Sequence, residues 1–362
     1  MITEKDVLNA LSHVEEPDLK KDLVTLGMIK NIQITGKKIN FTVVLTTPAC
    51  PLKELIRQRC EDAIHTHIAK DVDIEIDMTA EVTTNRSSTD LLKNVKNIIA
   101  VASGKGGVGK STITANLAMA LSRTGAKVGI IDADISGPSI PIMFGVESER
   151  PYVKQENGKN LIVPIERFDI KIISMGFLAP AEGAVAWRGP MASKALMQFL
   201  GDTDWGDLDY LLIDLPPGTG DIHITLTQAL PLTGAVIVTT PQKVALADAL
   251  KGVAMFRQPA TKVEILGLVE NMAYFTPEEL PNNKYYIFGK DGGKNFAQNN
   301  VIPFLGQIPL VQSIREAGDV GIPAVVNSDE TTMKAFEEVA QNLAQQIAIL
   351  NAEKIQELQK TN

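Results

Sequence analysis

The 362-residue sequence predicts an α/β protein: a three-layer sandwich on a mostly parallel sheet, preceded by a small α+β domain. Three observations predict it. From about residue 97, short β-rich apolar runs alternate with amphipathic segments, the pattern of a parallel sheet covered by helices on both faces. Before that, one helical apolar stripe is followed by stretches of period-two alternation. Residues 104–111 then fit G-x-x-x-x-G-K-[ST] between an apolar strand and a helix, which makes the larger domain a P-loop NTPase three-layer sandwich.

Thr3 with Asp6 reads as a capping box, and Val7, Leu8, Leu11 and Val14 give the first helix its apolar face. Ile39, Phe41, Val43 and Leu45 alternate, as do Val72, Ile74, Ile76 and Met78, so each set predicts a strand with one buried side. Between them, a helix beginning near Pro51 carries Leu52, Leu55, Ile56, Cys60, Ala63, Ile64 and His67 on one side. These elements form a domain over residues 1–82. The polar, aperiodic Thr83–Asp90 stretch opens a linker assigned to 83–96, and residues 97–362 form the second domain.

In that domain the predicted strands are Asn97–Val101, Val128–Ile131, Ile170–Ile173, Tyr210–Ile213, Ala235–Val238, Ile265–Val269 and Phe304–Ile308. Ile113–Leu121 is the helix after the phosphate loop. A last helix from about Ser328 carries Met333, Phe336, Ala340, Leu343, Ile347 and Leu350, a stripe that suits packing on its own sheet or a dimer seam.

With 35 basic and 43 acidic residues the net charge is −8, which argues against nucleic acid as a general partner. Two cysteines exclude a disulfide framework and suit a reducing compartment. The charged N-terminus lacks a signal-peptide core, and no apolar run is long enough for a bilayer, so a cytoplasmic protein without membrane partners is expected.

The glycines of Gly104-Lys-Gly-Gly-Val-Gly-Lys-Ser-Thr112 let backbone N–H groups converge on phosphate oxygens, and the helix N-terminus adds its positive dipole end. Gly104, Lys105, Gly106, Gly107, Val108, Gly109, Lys110, Ser111 and Thr112 are the expected nucleotide contacts. Lys110 is expected at the β/γ-phosphates and the Ser111 hydroxyl on Mg²⁺. Tyr210-Leu-Leu-Ile-Asp214 has Walker B form, which assigns Asp214 to the metal site; the bland alternative is a helix cap. Asp132 and Asp134 end another strand on one side, Asp132 assigned near Mg²⁺ and Asp134 to orienting the attacking water. In the loop after Asp214, the Gly218 amide is a candidate sensor of the γ-phosphate. Lys105 is the extra cation: either it reaches the triphosphate of a facing subunit, so that ATP joins a homodimer, or it is a surface lysine.

Cys50 precedes Pro51 at an expected helix start, which would lower its pKa and make it a metal, cluster or partner contact; a plain capping position is the alternative. Cys60 falls on the apolar helix face and reads as core. His65 and His67 point different ways, and His13 reads as helix surface. His223, beside the Pro-Pro-Gly-Thr-Gly loop, reads equally as a nucleotide-state sensor or a surface residue. Arg188 is assigned to a phosphate or to a nearby carboxylate.

Lys105-Gly-Gly-Val-Gly-Lys-Ser111 resembles the deviant Walker A of the ParA/MinD/nitrogenase-reductase class. The phrases Asp132-Ala-Asp-Ile-Ser-Gly-Pro-Ser-Ile-Pro141, Trp187-Arg-Gly-Pro-Met191, Leu208-Asp-Tyr-Leu-Leu-Ile-Asp-Leu-Pro-Pro-Gly-Thr-Gly-Asp221, Thr240-Pro-Gln242, Val269-Glu-Asn-Met272 and Ile287-Phe-Gly289 resemble its Mrp/ApbC branch. Pro303-Phe-Leu-Gly-Gln-Ile-Pro-Leu310 and Ile314-Arg-Glu-Ala-Gly-Asp319 extend the likeness across nearly the whole chain. The N-terminal unit is similar to a PaaD-type domain through Asp22-Leu-Val-Thr-Leu-Gly-Met-Ile29 and Leu45-Thr-Thr-Pro-Ala-Cys-Pro51.

The resemblance implies a slow, dimeric ATPase that carries iron–sulfur clusters to apo-proteins and works with assembly factors. It also implies adenine contacts from Asn271 and the segment from Pro309. One departure stands out. The family's Cys-x-x-Cys pair after Glu-Asn-Met is replaced here by Pro277 and Leu280, and no cysteine follows Cys60. Thiolates are the usual protein ligands of such clusters, so a family-type bridging site is not expected from this chain. Two rival readings follow: a nucleotide-switched scaffold or adaptor without a cluster, and a ParA- or MinD-type positioning ATPase.

Overall fold

A computed structural model describes residues 2–86, 92–135, 137–156, 158–178, 189–277, 279–280 and 283–361. The chain forms two compact units, Met1–Asn85 with Ala344–Asn362, and Arg86–Leu343.

In the first unit, Thr3 caps the helix Glu4–Leu11: Asp6 N–H donates to Thr3 Oγ1 at 3.3 Å and Thr3 N–H to Asp6 Oδ2 at 2.9 Å. Strands Ile29–Thr35, Lys38–Leu45 and Asp73–Ala80 make one sheet, the first pair antiparallel and the second parallel. The Lys53–His67 helix crosses between the parallel pair. Val7, Leu11, Phe41, Val43, Ile56, Cys60 and Ile64 close the core. The buried helix stripe runs Ile56–Cys60–Ile64 at i+4 spacing, so Leu55, one position off, is 43 % exposed, and His67 is exposed too. Both were expected on the apolar side.

The second unit is built on eight strands. Their order is Ile165–Arg167, Ile170–Ser174, Val128–Asp132, Leu208–Asp214, Val95–Ala102, Gly234–Thr239, Ile265–Glu270 and Phe304–Gln307. Only the first pair is antiparallel; every other neighbour runs parallel. The central strands are buried on both faces, which is why they read as unbroken apolar runs. The chain crosses from Val95–Ala102 to Val128–Asp132 on one side and later from Leu208–Asp214 to Gly234–Thr239 on the other, and such a reversal opens a crevice beyond the carboxyl ends of the strands. The hairpin Tyr152–Glu156/Lys159–Val163 has no counterpart in the sequence expectations, because neither strand alternates: the first is mostly exposed, and the second sets half-buried Leu161, Ile162 and Val163 side by side.

The last helix, Glu330–Thr361, packs its first part on the sheet through buried Phe336, Val339 and Leu343, and Asn342 Nδ2 donates to Leu305 O at 2.8 Å. From Ala344 it groups with the N-terminal residues, where Gln345 Nε2 donates to Asp18 Oδ1 at 2.7 Å and Asn351 Nδ2 to Thr83 O at 2.9 Å. The expected second domain ran to 362; its last stretch serves the first unit instead. Among the described residues, no helix is long and apolar enough to cross a membrane.

Candidate nucleotide site

The Val95–Ala102 strand delivers the chain into the phosphate loop, and Gly109, at φ +80°, turns it into the Lys110–Arg123 helix. A left-handed φ there favours glycine, and an added Cβ would also meet Asn271 Nδ2 at 2.2 Å. At Gly104 the limit is contact: a Cβ would sit 2.1 Å from the Asp248 carbonyl carbon.

Asp214, fully buried at the end of its strand, is the hub. Lys110 Nζ lies 2.7 Å from its Oδ2, Ser111 Oγ donates to the same oxygen at 2.5 Å, and Thr114 Oγ1 donates to Oδ1 at 2.7 Å. Each of these bonds joins a charged group, the stronger class of hydrogen bond. Asp132, equally buried, accepts from Ser174 Oγ at 3.0 Å, from Asp134 N–H at 3.2 Å and from Ile140 N–H at 3.3 Å. Burial first, and the neighbouring Asp214 charge second, push the Asp132 carboxyl up to about 8. Two adjacent buried carboxylates with a serine hydroxyl form an oxygen donor set suited to a hard divalent cation.

The site corrects several expectations. The strand ends at Asp132, so side alternation does not reach Asp134; Asp134 stands in the turn that Asp132 caps and itself accepts from Gly137 N–H at 3.2 Å. The Gly218 N–H is engaged, donating to Ser103 O at 2.9 Å. Pro51 does not start its helix: the helix begins at Lys53 with Leu52 as its cap residue. Burial, with the negative charges of Glu16 and Asp18, raises the Cys50 thiol rather than lowering it. Cys60 is core, its thiol pushed up to about 12 by burial. His223 is 1 % exposed, not a surface residue. His13 is exposed and stacks on His67 with centroids 4.1 Å apart. Arg188 lies outside the described residues.

Lys105 is exposed and, among the described residues, forms no salt bridge. Beside Gly109 and Thr112 opens a cavity of about 340 Å³, lined also by Asn116, Asn271, Pro309 and Leu310. Asn271 Nδ2 donates to Val108 O at 2.9 Å, tying the cavity wall to the phosphate loop. Asn116 Oδ1 accepts from Val325 N–H at 2.9 Å. Sequence reasoning missed Thr114, although its place three residues after Ser111 puts it on the same helical face. It also missed Ser174, which a separate strand brings in and no local pattern marks.

Fold and site define a P-loop NTPase. The family model described as "NUBPL iron-transfer P-loop NTPase" matches residues 94–344, and the chain belongs to that family. A second model, "Iron-sulfur cluster assembly protein", matches residues 4–77. An iron-sulfur cluster carrier protein of Synechocystis is 46% identical over 96% of this chain and 99% of its own length. The chloroplastic Fe-S cluster assembly factor HCF101 of rice is 41% identical over 95% of this chain and 64% of its own. Among solved structures, a nucleotide-binding protein of Archaeoglobus fulgidus in complex with ADP is 40% identical at a TM-score of 0.58, over 67% of this chain and 96% of that one.

Proposed function

We propose that this protein binds and hydrolyses ATP and carries iron–sulfur clusters, as cargo, to apo-proteins in the cytoplasm, working as a homodimer alongside assembly factors. One observation carries the nucleotide half: Lys110, Ser111, Asp214 and Asp132 converge at one end of the sheet, next to a cavity of about 340 Å³. In this reading the N–H groups of 104–112 surround the phosphates. Lys110 exchanges Asp214 for the β/γ-phosphates. Asn271 and the segment from Pro309 receive adenine. Ser111, Asp214 and Asp132 would hold Mg²⁺, which when bound neutralises phosphate charge. Asp134 orients the attacking water, and Gly218 gives up the Ser103 carbonyl to read the terminal phosphate. Lys105, exposed and without a salt bridge among the described residues, reaches the nucleotide of the facing subunit. Chemistry of this kind rests on positioning and electrostatics, and slow turnover fits a switch.

The names of the relatives support the cargo half; the cysteines do not supply its ligands. Cys60 is buried, Cys50 stands alone, and among the described residues no three His, Cys, Asp or Glu side chains group as a metal site. That observation favours a second reading, a nucleotide-switched scaffold without a cluster. Anaerobic reconstitution with iron and sulfide separates them: bound iron with cluster absorbance and transfer to an apo-ferredoxin supports the carrier, and a colourless protein that still binds ATP supports the scaffold. Calorimetry with ATP–magnesium tests both, since no binding at millimolar nucleotide overturns each.

A further inference from the structure

His223 is the third residue of the helix Asp221–Ala229, which directly follows the loop of residues 215–220. It is 1 % exposed, and neither ring nitrogen has a hydrogen-bond partner among the described residues. A neutral imidazole carries one donor and one acceptor, so a position that asked only for apolar volume would be better filled by leucine. Burial holds the ring's pKa below its usual value, and the Lys110 ammonium adds to that, while the backbones of Pro216 and Gly220 pull the other way. The loop's backbone is therefore close to the ring without being in hydrogen-bond geometry.

The same loop lies against the phosphate loop. Gly218 N–H donates to Ser103 O at 2.9 Å, and Pro217 is the side chain that a Cβ on Gly106 would meet, at 3.9 Å. Gly218 takes φ +91°, a left-handed conformation that glycine adopts freely. His223 N–H donates to Gly220 O at 3.0 Å, so the ring rides on the helix turn to which the loop is anchored.

We propose that His223 is a positioning residue for the 215–220 loop. When Gly218 leaves the Ser103 carbonyl for a bound terminal phosphate, the His223 ring nitrogens pair with loop backbone at Pro216 or Gly220 and hold the new arrangement. In the arrangement seen here, the ring waits unmatched. The inference rests on the ATP-hydrolysis reading for its kinetic consequence, and on geometry alone for its conformational one.

The test compares wild type, His223→Leu and His223→Gln in the full chain. Expected for His223→Leu is a kcat for ATP lowered about tenfold, the scale of one lost buried hydrogen bond, with ADP affinity unchanged. His223→Gln, which keeps a donor and an acceptor, should restore most of the rate. Hydrogen exchange at residues 218–220 should slow with a non-hydrolysable ATP analogue relative to ADP in wild type and His223→Gln, and not in His223→Leu. Equal kcat and equal exchange in wild type and the leucine variant overturn the proposal, as does a glutamine variant that restores neither. If the leucine variant does not fold, wild type against His223→Gln and His223→Phe decides by the same readouts. A wild type that binds ATP without turning it over defeats the hydrolysis reading, and the exchange comparison still decides this one.

Discussion

Lys110→Met removes the cation that lies 2.7 Å from Asp214 Oδ2, in a pair only 6 % and 0 % exposed. Taking one partner from a buried ion pair costs about 3–5 kcal/mol, because the other charge stays buried. Asp214 keeps the Ser111 and Thr114 hydroxyls at 2.5 and 2.7 Å, so the lower end, about 3 kcal/mol, is expected. For a unit spanning Arg86–Leu343 that corresponds to a melting temperature lower by about 6–12 °C. Adding Asp214→Asn removes the stranded charge and keeps its shape, so the double variant should recover most of the loss while still failing to bind ATP. Calorimetric melts without nucleotide, run on the two single variants and the double, close the cycle. A coupling below about 0.5 kcal/mol, the level at which independent sites simply add, would refute the argument that Lys110 neutralises Asp214 in the nucleotide-free protein.

Three further outcomes are expected. Gly104→Ala places a Cβ 2.1 Å from the Asp248 backbone, which cannot yield as a flexible side chain does, so ATP affinity should fall at least about tenfold in calorimetry; wild-type affinity would contradict the contact. Lys105→Ala should abolish ATP-dependent self-association in sedimentation velocity while each chain still binds ATP, and undiminished association would leave Lys105 a surface residue. Glu270 is fully buried, with Oε1 unpartnered among the described residues and its pKa raised by burial, so the folded protein keeps this proton above the unfolded value. The stability linked to that proton is present at low pH and lost as pH rises past the ordinary glutamate value. Glu270→Gln should therefore gain stability over wild type, on the order of 1 kcal/mol, the gain growing from pH 5 to pH 8; a gain independent of pH would remove the linkage.

The sheet was legible because its strands are buried on both faces, and burial on both faces writes itself as runs such as Ile98–Val101 and Leu211–Ile213. The phosphate loop was legible for a related reason: Gly104 and Gly109 sit where only glycine fits, and Lys110 and Ser111 follow at fixed spacing. Cys50 shows where local logic fails. Pro51 suggested a helix start and an activated thiol, but the helix begins two residues later, and burial, helped by the carboxylates of Glu16 and Asp18 distant in sequence, raises the thiol instead.

The sequence by itself determined the class of fold, the phosphate-binding loop and the strand-end aspartates, because each follows from residues within a few positions of one another. Only the tertiary structure decided what those aspartates face: Asp214 meets Lys110 and Thr114 across a hundred positions, and Asp132 meets Ser174 from a neighbouring strand. It likewise committed the Gly218 amide to Ser103 and buried the His223 ring without hydrogen-bond partners among the described residues. Burial and partner geometry depend on which strands lie side by side, and sheet order is fixed by crossovers that no local pattern records.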